Sequence, residues 1–266
     1  MYLSHPAVRG EIHPTAIVHR EARLADGVEV GAYSLIGPQV EIGAGTRIGP
    51  HVVIEGHTRL GRDNRVFQFA SIGAQPQDKK YAGEPTRLEI GDRNEIREFC
   101  TFNCGTAQDA GVTRLGNDNW IMAYVHLAHD CQVGNNTIFA NNVQLAGHVT
   151  VGDWAILGGF TGVHQFVRVG AHSITGVATV LLQDLPPYVT ASGSPATPHG
   201  INSEGLKRRG YNAETIMAIK RAYKTLYRSG LKLTEAQTAI AAAAREAQEL
   251  DLLSEFLAEP GRGIIR

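Results

Sequence analysis

The chain has 266 residues, enough for one large domain or a domain with an appendage. Its net charge of −1 gives no global attraction to nucleic acid, and no run of eighteen apolar residues exists, so neither nucleic-acid binding nor stable membrane insertion is expected. Thirty glycines against eight Phe and two Trp speak against a thick aromatic core and for an architecture of turns and small residues. The N-terminal MYLSHPAVRG lacks an apolar leader, and Cys100, Cys104 and Cys131 contain no CxxC pair and cannot all be paired, which points to the reduced cytoplasm.

From Ile12, every sixth residue is aliphatic through Val18, Leu24, Val30, Ile36, Ile42, Ile48, Ile54, Leu60, Val66 and Ile72. The phase resumes at Ile90, Ile96 and Phe102, then restarts one residue later at Leu115 and runs to Leu181 with Thr175 its one polar member. This pattern predicts a parallel β-helix. One residue per hexad points inward from a short strand, and Gly, Asn and Asp supply corners of positive φ. Three strands make an 18-residue coil. Coils stack roughly 4.8 Å apart, each burying its neighbour's apolar face.

Residues 73–89 and 103–114 interrupt the phase and are expected to be loops thrown out from a corner, where a purely structural solenoid would have no use for them. The array is expected to stop at Asp184-Leu-Pro-Pro, giving a β-helical domain over 1–191 and a linker plus helical domain over 192–266. Residues 192–200 read as a Gly/Ser/Pro linker. Asn212 then caps a helix to about Ser229, Thr234 and Gln237 form a capping box for a second, Ala-rich helix, and ELDLLSEFLAE makes a third segment that closes the last coil.

Charge is uneven. Residues 199–232 carry 8 Lys/Arg against 2 Asp/Glu, a surface for an acidic partner or a phosphate-bearing ligand. Histidines cluster too, with His126, His129, His148, His164 and His172 inside 47 positions of the array. Adding 18 to 129 gives Gly147, and 18 more gives Gln165, so these share one corner column flanked by His148 and His164, with His129 expected to be exposed. Asp130 lies 18 residues before His148. Histidines beside an acid can bind zinc, or one can act as a general base near neutral pH. The zinc reading draws on hexapeptide carbonic anhydrases, and it is weakened because Val169 stands where a partner histidine for His164 would fall.

The hexads resemble those of left-handed β-helical acyltransferases, and only this resemblance supplies the hand, since ordinary crossovers are right-handed. QDKKYAGEPT, YVHLAHDC, LAGHV, VHQF, DLPPYV and EGLKRRGY, in this order and spacing, resemble the UDP-N-acetylglucosamine O-acyltransferases that begin lipid A biosynthesis. The resemblance covers essentially the whole chain. It implies an all-β left-handed parallel β-helix with a C-terminal α-helical domain, a homotrimer with active sites in the clefts between neighbouring β-helices, no cofactor, and a cytoplasmic enzyme. The reaction it implies moves an (R)-3-hydroxyacyl group from acyl carrier protein to the 3-hydroxyl of UDP-GlcNAc.

The same resemblance implies residue roles. His129 matches the general base, Asp130 the acid that orients it, and Gly147 the backbone N–H that holds the thioester oxygen. Asp78, with Lys80 nearby, matches a sugar contact, and His126, His148, His164 and Gln165 match the cleft lining. Asn202, Glu204, Arg208 and Arg209 match the nucleotide-binding set. For the two arginines the residues agree independently, since Arg suits bidentate phosphate contacts. Lys220, Arg221, Lys224 and Arg228 are candidates to attract the carrier protein.

The chain departs from the family pattern twice. TFNCGT puts Asn103 and Cys104 where a His–Arg pair is usual, with Cys104 read as a packing residue. ITGVATV puts Val177 where long-chain members carry Gly at the end of the acyl groove, which shortens it and points to donors of ten to twelve carbons. The sister N-acyltransferase carries a domain before its coils, whereas here the repeat begins by Ile12. The runner-up reading is an acyltransferase on another nucleotide sugar, such as a 3-amino analogue. A non-enzymatic solenoid would predict flat faces without loops or clustered histidines.

Overall fold

The structure is a computed structural model and describes residues 10–259 and 261–266. Two compact units divide the chain, Met1–Asn142 and Val143–Arg266.

In the first unit, short parallel strands stack on three faces. One face holds Ile17–Val18, Leu35–Ile36, Val53–Ile54, Ser71–Ala74, Thr101–Asn103 and His126–Leu127. The inward residues are those of the hexad phase, and from Val30 onward all of them are buried. In the first described coil, Ile12 is exposed and Val18 and Leu24 are half-buried.

Gly27, Gly45, Asp63, Asp118, Asn136 and Asn142 supply corners of positive φ as expected, but they are not alone. Many corner residues of positive φ carry side chains, such as Tyr33, His51, Phe69, Phe99 and Tyr124. Their rings stack in sequence with centroids 4.8–5.3 Å apart. Such contacts, worth about 0.5–1.5 kcal/mol each, offset a left-handed backbone cost of about 1–2 kcal/mol. The glycine after the inward residue is needed for room instead. A Cβ on Gly43 would sit 2.5 Å from the Gly61 carbonyl carbon of the next coil.

A buried ladder of polar side chains runs inside one edge. Asn64 Oδ1 accepts from the Asn94 backbone N–H and Nδ2, and Asn94 Oδ1 accepts likewise from Asn119. Their own Nδ2 groups also donate to glycine carbonyls, so the amides are satisfied within the core.

The interruptions are shorter than expected, because their ends are strand. Ser71–Ala74 and Arg87–Ile90 enclose the first, and Thr101–Asn103 and Val112–Leu115 enclose the second. Arg87 pairs with His57 below and Val112 above, so the coil resumes its register after each excursion.

In the second unit the same winding continues through Val180–Leu181. Thr175, the polar inward residue, is satisfied by Thr161 Oγ1 at 2.8 Å and the Gly158 N–H at 2.9 Å. Pairing does not stop at the prolines. Leu185 still bridges Val169, and Val189–Gly193 pairs in parallel with Ile174–Thr175, because Pro186 and Pro187 fall in the connection between these rungs. The stretch read as linker is largely an antiparallel hairpin, in which Val189–Gly193 pairs with Ala196–Ile201.

Among the described residues four α-helices follow, α1 (Ser203–Arg208), α2 (Ala213–Tyr227), α3 (Leu233–Ala244) and α4 (Asp251–Ala258). The first had no periodic signal long enough to read. Asn212 caps α2 as expected, its Oδ1 accepting from the Thr215 N–H at 2.8 Å. For α3 the box lies two residues earlier than expected. The Glu235 carboxylate accepts from the Lys232 N–H at 2.8 Å, while Gln237 turns to the Leu257 carbonyl. The helices close a core of Leu206, Ile219, Leu226, Ile240, Leu253 and Leu257 over Tyr188. Arg168 ties this core to the coil, bonding Asp184 and Glu259 and lying 4.3 Å over the Phe256 ring.

Candidate active site

The strand His126–Leu127 ends with Leu127 inward, and the next three residues turn the corner. Asp130 closes that turn at φ 60°. Its N–H donates to Thr113 Oγ1 at 2.8 Å, fixing the corner to the coil below. Its carboxylate accepts from the Thr106 N–H at 2.9 and 3.1 Å and from the Thr106 hydroxyl at 2.6 Å. His129 Nδ1 lies 2.9 Å from the same carboxylate. A carboxylate only accepts, so Nδ1 carries the proton and Nε2 is left as the basic nitrogen.

His129 is not the exposed corner residue that its position suggests. It is 9% exposed and Asp130 2%, because the second loop folds back on this corner. Gly105 permits that approach, since a Cβ there would sit 2.7 Å from Asp130 Oδ1 and closer still to the Val112 nitrogen. Thr106, which the sequence did not single out, thus belongs to the hydrogen-bonded cluster of Asp130 and His129. The signal was present only as a loop at the right place in the array.

Also in the first unit, His126 faces outward, half-buried, with Nδ1 2.7 Å from Thr101 Oγ1. Burial lowers its pKa. Asp78 sits in the first loop, its carboxylate accepting from the Lys80 N–H at 3.0 Å, while Lys80 itself is exposed. Asn103 and Cys104 hold the base of this loop. Asn103 Nδ2 donates to the Gln75 carbonyl at 3.1 Å, and Cys104 Sγ lies 3.2 Å from the Gly73 carbonyl. Burial pushes the Cys104 thiol up to about 11, which fits packing rather than nucleophilic chemistry.

In the second unit, Gly147 is buried and its carbonyl accepts from the Phe166 N–H at 3.1 Å. His148 stacks on Phe166 with centroids 4.4 Å apart. His164 is exposed and Gln165 half-buried, the His164 ring nitrogen lying 3.1 Å from the Gln165 carbonyl. Val177 stands out into solvent at 73% exposure.

The four expected nucleotide residues divide. Arg208 and Glu204 are exposed on α1, and Glu204 pairs with Lys207 at 2.7 Å. Asn202 is buried with both amide groups in use, its Oδ1 capping α1 at the Gly205 N–H and its Nδ2 donating to the His172 carbonyl. Arg209 is half-buried and reaches His172 Nδ1 at 3.2 Å and the Trp154 carbonyl at 3.0 Å.

Residues 184–265 match the family model described as UDP N-acetylglucosamine O-acyltransferase, domain 2, and residues 21–56 and 113–147 match the bacterial transferase hexapeptide model. A relative from Thiobacillus denitrificans, acyl-[acyl-carrier-protein]--UDP-N-acetylglucosamine O-acyltransferase, is 68% identical over 255 residues, covering 96% of this chain and 99% of its own. The chain belongs to that acyltransferase family. Two solved structures agree. LpxA from Acinetobacter baumannii is 48% identical with a TM-score of 0.94, and UDP-N-acetylglucosamine O-acyltransferase (LpxA) from Moraxella catarrhalis is 46% identical with a TM-score of 0.94. Each covers 96% of this chain and 99% of its own. As in this O-acyltransferase family, the coil is a left-handed parallel β-helix with a C-terminal helical region.

Proposed function

We propose that this O-acyltransferase moves an (R)-3-hydroxyacyl group from the phosphopantetheine thioester of acyl carrier protein to the 3-hydroxyl of UDP-GlcNAc, the first step of lipid A biosynthesis. The buried Thr106–Asp130–His129 relay is the observation that carries this reading. His129 Nε2 removes the hydroxyl proton as the sugar oxygen attacks the thioester carbonyl. The negative charge that develops on the carbonyl oxygen is held by the Gly147 backbone N–H. Collapse breaks the C–S bond, and the His129 imidazolium returns the proton to the leaving thiolate. Asp130 stabilises the imidazolium without itself taking the proton. The balance closes with donor and acceptor alone, so no cofactor or metal is required.

In this reading Asp78 and Lys80 contact the sugar, and His126, His148, His164 and Gln165 line the cleft. Arg208 and Arg209 hold the diphosphate, Glu204 contacts the nucleotide beside them, and Asn202 serves the same subsite while its Oδ1 caps α1. Val177 ends the acyl groove near a C10–C12 chain. The carrier protein docks on the exposed Lys220, Arg221 and Lys224 of α2 and Arg228 at its C-cap, opposite the buried Ile219, Ala222 and Leu226.

The enzyme acts in the cytoplasm as a homotrimer. Among the described residues no helix is long and apolar enough to cross a membrane. Association is supported by an asymmetry between the faces of the first unit. Two faces present charged columns, Arg23–Glu41 and Arg65–Glu95 among them, whereas the third presents Ile17, Leu35, Val53, Ser71, Thr101 and His126. The stacked corner aromatics border that uncharged face, and a face of this composition suits a second copy better than water.

The deciding assay is acyl transfer from C10, C12 and C14 (R)-3-hydroxyacyl carrier proteins to UDP-GlcNAc, with His129→Ala alongside. Robust transfer abolished by the substitution is the expected result. Transfer to a 3-amino acceptor alone would favour the runner-up sugar, and no transfer with any donor would sink the reading.

A further inference from the structure

We infer that His172 is a positioning residue that holds the Arg209 guanidinium in place through a neutral acceptor and so leaves its charge open for an anion. The inference rests on the reading in which Arg209 contacts the nucleotide diphosphate.

Arg209 follows α1 and is half-buried. Its polar contacts are His172 Nδ1 at 3.2 Å and the Trp154 carbonyl at 3.0 Å, with the guanidinium carbon 5.2 Å from the Trp154 ring centroid. Among the described residues no carboxylate forms an ion pair with it. A partly buried guanidinium without an acid is unusual, because desolvation of the cation is not balanced. Burial indeed lowers its pKa. The arrangement makes sense when the balancing charge arrives with the ligand, and a guanidinium fork fits phosphate oxygens.

His172 is built to be that acceptor. Arginine only donates, so Nδ1 must present its lone pair and the proton must sit on Nε2. Nε2 lies 3.3 Å from Tyr211 Oη, a group able to accept that proton's bond. The residue is 7% exposed, and its ring lies parallel to Trp154 and Tyr188, with centroids 6.5 and 5.5 Å away. Its backbone is also tied, the N–H donating to the Asp153 carbonyl and the carbonyl accepting from Asn202 Nδ2. Burial and the neighbouring Arg209 charge hold its pKa down to about 4, so the lone pair persists at neutral pH. An aspartate or glutamate at this position would bond Arg209 more strongly, but it would cancel the charge that the ligand needs.

The test compares KM for UDP-GlcNAc, kcat and Tm in His172→Phe, His172→Gln, His172→Glu and Arg209→Met. His172→Phe keeps a stacked ring without an acceptor and is expected to raise KM about tenfold with kcat within about twofold. His172→Gln restores an acceptor and should recover most of that loss. His172→Glu should raise KM although it retains an acceptor, and it decides the matter if the Phe variant does not fold. An unchanged KM in the Phe or Glu variant, or equal loss in Phe and Gln through kcat, would overturn the inference while Arg209→Met still raises KM. If Arg209→Met leaves KM unchanged, the diphosphate reading of Arg209 itself is wrong.

Discussion

His129 Nδ1 stands 2.9 Å from the Asp130 carboxylate, and Thr106 bonds that same carboxylate through both its N–H and its hydroxyl. The proposed base is therefore oriented through Asp130 by a loop residue 24 positions before that acid in sequence. Replacing His129 with Ala is expected to lower kcat by about 10²–10⁴-fold, the range for losing a general base. Thr106→Val keeps the shape and removes one charge-assisted bond, and it should lower kcat about tenfold with little change in either KM. Steady-state kinetics with both substrates checks this. A Thr106→Val enzyme of wild-type kcat would remove the loop from the mechanism.

Val177 marks the proposed end of the acyl groove. Val177→Gly should raise kcat/KM for a C14 donor relative to C10. The size follows from methylene burial, roughly 0.8 kcal/mol each, so two recovered methylenes are worth about tenfold. Competition between the two acyl carrier proteins in one reaction reads the ratio directly, and an unchanged ratio would place the chain-length limit elsewhere.

Stability should depend on pH through His172. Its folded pKa is depressed from 6.5 to about 4, so the folded chain holds fewer protons than the unfolded chain between these values. The stability it contributes is fully present above about 6.5, declines as the pH falls, and is lost by about 4. His126, lowered by burial, acts with the same sign. Thermal melts of wild type and His172→Gln across this range should converge toward the acid end, and parallel curves would count against the linkage.

The uncharged face of the first unit predicts where copies meet. A charge at its centre, as in Val53→Glu, should convert a species of about three times the 28.7 kDa chain mass into smaller ones. Arg47→Glu, on a charged face, should not. Sedimentation velocity separates these outcomes, and a Val53→Glu protein of unchanged mass would place the interface elsewhere.

Much of the fold was legible because stacking makes every coil repeat the same requirement. Each inward position from Val30 to Leu181 is buried, and even Thr175 was recognisable as the exception. What the periodicity could not carry were contacts that occur once. The grip of Thr106 on Asp130, the burial of His129 beneath that loop, and the pairing of His172 with Arg209 each join segments with no common period. The corners were legible only in part, at Gly27, Gly45, Asp63 and Asn136 but not at Phe69 or Phe99. Positive φ suggested glycine, yet stacking between successive coils makes aromatic residues tolerable there.

The register across the two loops has a consequence for how such a chain changes over time. Arg87 meets the same rung whether the path from Ala74 takes twelve intervening residues or some other number, since pairing is decided at the loop's two ends. Segments can therefore be lengthened, exchanged or rewritten at these two openings while the frame that supports them stays fixed. New acceptor preferences can be grafted onto an old coil one loop at a time, without the scaffold being refolded for each.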